Sequence, residues 1–515
     1  MNKYKKILFK HLDGIVLFPT IINLHKIGLY DLMGKYKYFS MNDIIKIKKL
    51  YSGYLNVSLR TLRCNNLLNF KQKNTEYDHE YSVNKNFIFM NKKLGISNKI
   101  YKLIYYHINF NKLSTQNENN YSNLLLELQP LLDSNNKNNF KIYSENFEGL
   151  VIGPIIANLF FHNHAEYYSN KFKIIDLNQN LSNSIYSILS SLNFITKNNK
   201  YYQTTNKGKY ILDRSSAYGV TVSYLDTLYN ISTLLTNDPK YIWRRTKNNH
   251  EIHINRSMNV WGSGGAHKTY FQKADNILID IFNQDIKKQP KGIIDIGCGD
   301  GTFLKHAYNI IINKTIRKDF LDKYPLLLIG TDINKKARIA SKNTLKNISN
   351  IIINGNISNP NDINRSLYKK YNLKLKDLLN CRTFLDHNRT YSDPKKHINH
   401  KIYSYGSFSY KGKLITSKNL INNFLEHLTS WKPFVMEHGL ILIELHTIDP
   451  KTTKNNLGKT LSCAYDATHG YSDQYLIEYD VFKKCLKKIG LNITEKNQYL
   501  FPNKHYPTVS INYIK

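Results

Sequence analysis

The sequence predicts an α/β protein: a Rossmann-like seven-stranded sheet in the C-terminal half, preceded by a mostly helical half with two winged-helix-like repeats. Three observations carry this reading. An apolar strand, a glycine turn and a helix start run together at Ile293–Phe303, IIDIGCGDGTF. Apolar strands and helix-period segments alternate from there to the end, the pattern of a layered α/β sheet. In the first half, one segment recurs further along the chain. The 515 residues divide accordingly into a first repeat at 1–95, a second at 140–215, a helical connector or lid at 216–260, and the sheet domain at 261–515.

The repeat opens each copy. Asp13-Gly14-Ile15-Val16-Leu17-Phe18-Pro19-Thr20-Ile21-Ile22-Asn23-Leu24 aligns with Glu148-Gly149-Leu150-Val151-Ile152-Gly153-Pro154-Ile155-Ile156-Ala157-Asn158-Leu159. The acid, the glycine, the proline and the Asn-Leu pair coincide, and Gly and Pro are scarce in this chain. Pro19 and Pro154 are expected near a helix start, where a missing N–H costs nothing. Each copy then continues with a helix and two short strands. In the second these are Ser184–Leu192, then Asn193–Lys197 and Tyr201–Thr205; in the first, Val57–Leu68, Asn69-Phe70 and Glu80–Val83. Such a unit can lay its second helix in a DNA groove. Ser184–Leu192, however, carries no Lys or Arg, a poor face for phosphate. Thr221–Leu235, stopped by Asp238-Pro239, reads as the helical connector.

Composition bounds the partners. The formal net charge is +35, which invites a nucleic-acid reading. Yet no Lys/Arg run exceeds two residues, and Asn, Ile, Tyr and Lys are over-used together. Their codons are all A/T-rich, so a genome-wide drift accounts for the excess without any partner. Nucleic acid is therefore an unfavoured partner. Five cysteines without a CxxC pair indicate neither a zinc knuckle nor a disulfide framework, and they fit a reducing cytoplasm. The longest apolar run, Gly149–Phe161, falls short of the ~20 residues of a membrane span. No membrane is expected.

In the sheet half, Asp295, Gly297, Gly299 and Gly301 form Asp-x-Gly-x-Gly-x-Gly between strand and helix. Glycines permit a sharp turn and close backbone approach to a ligand, and a helix start favours a negative group. The second strand, Pro325–Thr331, ends at Asp332-Ile333, where an acid can accept both hydroxyls of a ribose. An extended helix over Asn313–Tyr324 is expected between them. A third strand, Ile351–Ile353, leads to Asn356-Ile357, where Asn356 offers an acceptor for an adenine amine. The fourth strand, Leu378–Leu385, ends in Asp386-His387-Asn388-Arg389, and the fifth, Gly439–Leu445, ends at His446. Ligand sites lie beyond the carboxyl ends of such strands. Downstream stands Tyr465-Asp466-Ala467-Thr468-His469-Gly470-Tyr471-Ser472-Asp473-Gln474-Tyr475, read as a loop before a helix at Tyr479–Ile489. Strands at Asn492–Tyr499 and Val509–Ile514 complete the sheet, the last one reversed.

The glycine motif resembles that of class I S-adenosylmethionine-dependent methyltransferases. Four longer strings narrow the resemblance: Trp261–Lys268 (WGSGGAHK), Phe384–Arg389 (FLDHNR), Glu444–Ile448 (ELHTI) and Tyr465–Tyr475 (YDATHGYSDQY). They are similar to polyketide-synthase-associated methyltransferases, the family that contains the metal-dependent methyltransferase of the apratoxin loading module. The resemblance covers about residue 250 to the end and extends to the N-terminal repeat. It implies S-adenosylmethionine bound by Asp295, Gly297, Gly299, Gly301, Asp332, Ile333, Asn356 and Ile357. It implies a carrier-protein-bound or free polyketide substrate, methylated at an activated carbon in preference to a hydroxyl. It also suggests a mononuclear iron or manganese ion held by His469, Gln474 and Asp386. His387, His446 and His267 stand as candidate bases. The N-terminal half would then serve as a lid or as the face of a homodimer.

Two other classes remain weighed at this level. A small-molecule O-methyltransferase could work with a histidine base and no metal. A nucleic-acid methyltransferase or winged-helix regulator fits the charge, but the chain lacks an Asn/Asp-Pro-Pro-Tyr/Phe motif and keeps Asp295 and Asp332.

Overall fold

The structure is a computed structural model that describes residues 2–133, 140–198, 201–247 and 250–515. It divides into two compact units. One comprises Met1–Ala266 with Ser407–Leu414 and Pro450–Asp473; the other comprises His267–Gly406, Ile415–Asp449 and Gln474–Lys515. Two segments expected within the sheet domain thus belong to the helical unit, and the boundary falls inside the helix Arg256–Phe282.

The helical unit is organised by α1 (Lys3–Lys26) and α2 (Ser144–Phe161), the two copies of the repeat. Every residue from His11 to Leu24 is buried, and so are Asn146 to Leu159. A helix that is apolar all round belongs in a core. By length and composition α1 could cross a membrane, but 89% of its apolar window is buried within this unit. The prolines do not start the helices as expected; Pro19 and Pro154 both lie inside them. A mid-helix proline costs about 3 kcal/mol, whereas each fully buried Val, Leu, Ile or Phe returns about 1.5–3 kcal/mol. Burial outweighs local propensity.

The repeat is the crossing point of the pair. A Cβ on Gly14 would stand 1.8 Å from the Asn146 carbonyl oxygen, and one on Gly149 would stand 2.1 Å from His11 Cα. Gly14 and Gly149 are equivalent in the repeat, and so are His11 and Asn146. The two copies therefore pack about a local pseudo-two-fold, each glycine admitting the other copy's backbone. Lys10 and Glu145, equivalent positions too, form an ion pair across the crossing. His11 Nδ1 lies 2.6 Å from Tyr218 Oη, and its Nε2 lies 3.3 Å from Glu148.

Beyond α1 and α2 the copies diverge. After α2 come a hairpin (Ala165–Tyr168 with Lys171–Ile174), a helix (Gln179–Ser191) and a second hairpin (Ile195–Asn198 with Tyr201–Thr204), a winged-helix order. After α1, two short helices (Leu29–Lys35, Met41–Ile47) replace the first hairpin before the helix Ser52–Cys64 and the hairpin Leu68–Lys71 with Glu80–Val83. The expectation of one shared element order fails in that middle segment. The connector expected as one helix is three short ones: Gly219–Val222, Leu225–Tyr229 and Ile231–Thr236.

The second unit holds the seven-stranded sheet: β1 (Gly292–Ile296), β2 (Leu327–Thr331), β3 (Ile351–Ile353), β4 (Leu379–Thr383), β5 (Leu440–Leu445), β6 (Tyr499–Phe501) and β7 (Val509–Ile514). Their order is β6-β7-β5-β4-β1-β2-β3, with β7 antiparallel to both neighbours and β5-β4-β1-β2-β3 parallel. The last pair is shorter than expected, since Asn492–Gln498 pairs with β7 only through an isolated bridge at Ile493. The expected Asn313–Tyr324 helix is instead the end of Thr302–Lys314 and a 3-10 turn at Ile316–Phe320. Buried Ile293, Leu328, Leu379, Ile441 and Ile511 pack with Phe303, Leu304 and Ile277 to form this unit's core.

Candidate active site

The parallel strands end at one edge of the sheet, and the expected cofactor residues gather there. Asp295 sits near the end of β1, 1% exposed, and neither carboxylate oxygen has a hydrogen-bond partner among the described residues. Burial pushes its carboxyl well above the usual carboxylate range, and Asp332 and Asp300 push it further. An uncompensated carboxylate is costly in a folded protein unless a cation or donor meets it.

The turn that follows is built by backbone conformation. Gly297, Gly299 and Gly301 have φ of +73°, +53° and +81°, a region that side chains rarely adopt. A Cβ on Gly299 would meet nothing within 4 Å, so open space lies beside the loop. The Gly297 and Cys298 amides donate to Thr331 O at 2.7 and 2.9 Å, tying the loop to β2. Asp332 then accepts from Gly299 N at 3.2 Å and from Asn334 N at 2.7 Å. Burial raises its carboxyl as well. Arg338 donates to Asp332 O and to Asn354 Oδ1, bracing β2 against the β3 tip.

Ile333, next to Asp332, is 69% exposed. Asn356 Oδ1 accepts from Ser358 N at 2.9 Å, and Ile357 is buried beneath it. Trp431 Nε1 donates to Ile357 O at 2.8 Å and fixes this turn.

At the tips of β4 and β5 two histidines take different surroundings. His387 Nδ1 lies 2.5 Å from Glu444 Oε1, and the His387 amide donates to Oε2 at 3.2 Å. A carboxylate beside Nδ1 favours the tautomer with the proton on that nitrogen. His446 has both nitrogens engaged, Nε2 with Ser510 Oγ at 2.7 Å and Nδ1 with Ile477 O at 3.2 Å. Burial lowers its pKa to about 4, so the ring is neutral and braces the strand end. His267 is half-buried between Phe271 and Phe384, stacked at centroid distances of 5.3 and 5.5 Å. Burial lowers its pKa too.

Glu444 is not among the residues the sequence marks as acting, yet it orients His387. Four more polar side chains surround the same strand tip. Asp386 accepts from Arg382 at 2.7 Å and lies 2.9 Å from His427 Nε2, while Arg389 donates to Asp386 O. Arg382 is fully buried, its guanidinium 4.6 Å from the Trp431 ring. Burial opposes ionisation of Asp386, but Arg382 and His427 hold its carboxyl below the usual range.

Of the residues expected around a metal ion, Asp386 pairs through Oδ1 with Arg382 and His427 while its Oδ2 has no hydrogen-bond partner among the described residues, and His469 lies in the helix Ser462–Gly470 with Nδ1 2.8 Å from Tyr465 O. Gln474 belongs to the sheet unit. Among the described residues no group of three or more His, Cys, Asp or Glu side chains is placed to hold a metal. The 465–475 segment, expected as a loop, is helical up to Gly470.

Comparison with known proteins agrees with this geometry. The sequence model of the AprA MT2-like domain matches residues 251–512, that of the AprA winged helix domain matches 148–238, and that of the AprA N-terminal domain matches 4–70. No curated protein matches. Among solved structures, similarity extends to the LepI complex with SAM, at 12% identity over 82% of this chain and 98% of that one, with a TM-score of 0.37. The CurJ carbon methyltransferase is 13% identical over 83% and 98%, with a TM-score of 0.30. An O-methyltransferase family protein from Burkholderia thailandensis is 10% identical over 70% and 92%, with a TM-score of 0.37. The chain belongs to the AprA MT2-like family and is an S-adenosylmethionine-dependent class I methyltransferase.

Proposed function

We propose that this enzyme methylates an acyl intermediate of polyketide biosynthesis tethered to a carrier protein. The preferred acceptor is the carbon next to the thioester, ahead of a hydroxyl. The observation that carries the reading is the buried His387–Glu444 pair at the tips of β4 and β5, on the edge where β1 and β2 present Asp295 and Asp332. S-adenosylmethionine supplies a methyl group on a sulfonium whose departure needs no acid.

The chain's own residues have three tasks. Asp295 offers its uncompensated charge to the cofactor's ammonium, and Asp332 accepts from the ribose hydroxyls. Ile333 and Ile357 flank the adenine, with Asn356 accepting from its amine; Gly297, Gly299 and Gly301 keep the backbone clear. His387 takes the acceptor's proton on Nε2, and Glu444 stabilises the imidazolium that results. The freed electron pair on the acceptor forms the new bond to the methyl carbon as the carbon–sulfur bond breaks towards sulfur. Alignment of the two reactants supplies the remaining advantage.

A second reading, a hydroxyl acceptor, rests on the same pair, because a histidine with a carboxylate on Nδ1 also suits deprotonation of a hydroxyl. Incubation with methyl-deuterated S-adenosylmethionine and an acylated carrier protein, read by intact-protein mass spectrometry, separates the two. Mass gain at the carbon beside the thioester supports the first reading. Gain only on free hydroxyl compounds supports the second.

A further inference from the structure

The edge of the sheet opposite the cofactor loop carries a cavity of about 600 Å³ that the transfer reaction does not use. It lies where the parallel strands begin: Lys291 precedes β1, Pro325 precedes β2, Asp377 precedes β4 and His438 precedes β5. A five-residue strand spans about 16 Å, so this cavity and the cofactor loop lie on separate edges of the sheet.

Its lining is strongly cationic. Six Lys or Arg side chains face two carboxylates, against 73 to 38 in the whole chain. The two carboxylates are already engaged, Asp377 with Lys291 at 2.9 Å and Glu437 with Lys376 at 3.1 Å. Lys287, Lys288 and Lys323 are exposed and form no ion pair among the described residues. Behind them, Arg317 is only 2% exposed. Its guanidinium donates to Gln289 Oε1 and to the carbonyls of Pro290, Lys291, Tyr324 and Pro325, with no carboxylate in reach among the described residues. Burial lowers its pKa, the mark of a cation held without a counter-charge.

All five Arg317 N–H groups are taken by neutral acceptors, so its positive charge is left without a counter-charge behind the three unpaired lysines, which offer the free donors for an anion. The volume falls in the range of small-ligand sites, and Tyr324, Tyr513, Ile286 and Leu327 give the walls an aromatic and aliphatic part. We propose that this cavity binds a nucleotide-sized organic anion carrying two or more phosphate groups, separately from the methyl donor. The phosphates meet Lys287, Lys288 and Lys323 above Arg317, and the organic part lies against the tyrosines.

The test is calorimetric titration of the full chain at 0.15 M salt, with S-adenosylhomocysteine saturating the cofactor site. The probes are ATP without magnesium, inorganic tripolyphosphate and a short DNA duplex. ATP should saturate at one per chain and bind more tightly than tripolyphosphate. K287E/K323E should weaken ATP by about tenfold or more, the worth of a lost charged contact. K369E/K370E, on the exposed face of the Pro360–Tyr371 helix, should leave it within about twofold, because screened surface charge acts weakly. Unchanged S-adenosylhomocysteine affinity reports that both variants fold. Absence of ATP saturation overturns the proposal, as does equal weakening by both pairs. Tighter binding of the duplex, lost with K287E/K323E, would reassign the cavity to nucleic acid.

Discussion

The two edges of the sheet differ in what they collect. Where β1, β2, β4 and β5 end, the chain places Asp295, Asp332, Asp386 and Glu444; where they begin, it places Lys287, Lys288, Lys291, Lys323 and Arg317. In a chain of formal charge +35 acids are the scarcer residues, yet the strand ends gather four of them beside Arg338, Arg382 and Arg389, whereas the strand starts hold only Asp377 and Glu437, each paired with a lysine. Composition averages over this segregation. Parallel topology produces it, because residues far apart in sequence share an edge once the strands align.

The sharpest way to break the comparison is to remove the base. H387A should lower methyl transfer by about 10²–10⁴-fold, the usual worth of a general base, while S-adenosylmethionine binding stays within about twofold. E444Q should lose less, because the ring stays in place without the charge that steadies its protonated form. Equal activity in the folded His387 variant would move the chemistry away from the β4 tip.

A smaller effect lies in the helical unit and serves as a contrast. G149A places a Cβ against the His11 backbone at 2.1 Å, whereas G95A meets nothing within 4 Å. Thermal unfolding should show a loss of about 1–3 kcal/mol for the first, the usual cost of overpacking, and no measurable loss for the second. Equal behaviour would sink the pseudo-two-fold account of the repeat.

The acidic edge predicts a trade-off. Asp295 has a raised folded-state pKa, so the stability linked to its proton is fully present below its unfolded pKa and is lost as pH rises through the folded value. D295N should therefore raise the midpoint of thermal unfolding at pH 8 relative to the native chain, and this gain should shrink towards pH 4. The same variant should bind S-adenosylmethionine more weakly by about 1–3 kcal/mol, the scale of one charged hydrogen bond. A variant that loses both stability at pH 8 and affinity would show that Asp295 is held by partners in the fold.

Much of this is legible in the sequence because the signals are local. Asp295, Gly297, Gly299, Gly301 and Asp332 each sit at a strand tip that the apolar pattern marks. The His387–Glu444 pair is not, since 57 residues separate them and only the adjacency of β4 and β5 joins them. The Glu-x-His at the β5 tip is the available signal, and its glutamate, rather than its histidine, is the residue that meets His387. The hairpin after α2 escapes the apolar pattern although Ser169 and Asn170, with φ of +50° and +65°, form its two-residue turn. In the first copy the equivalent stretch reads LYDLMGK and MNDIIKI, helical spacing in place of alternation, so the segments that follow the repeated helix take two local structures.

The measurement that bears most directly on the central claim is calorimetric titration of S-adenosylmethionine into the native chain and D332A. The native chain should bind one equivalent per chain. Loss of two charge-assisted ribose hydrogen bonds should weaken the folded variant by about a hundredfold or more. Unchanged affinity in a folded D332A would contradict the assignment of the β2 tip as the cofactor's ribose site.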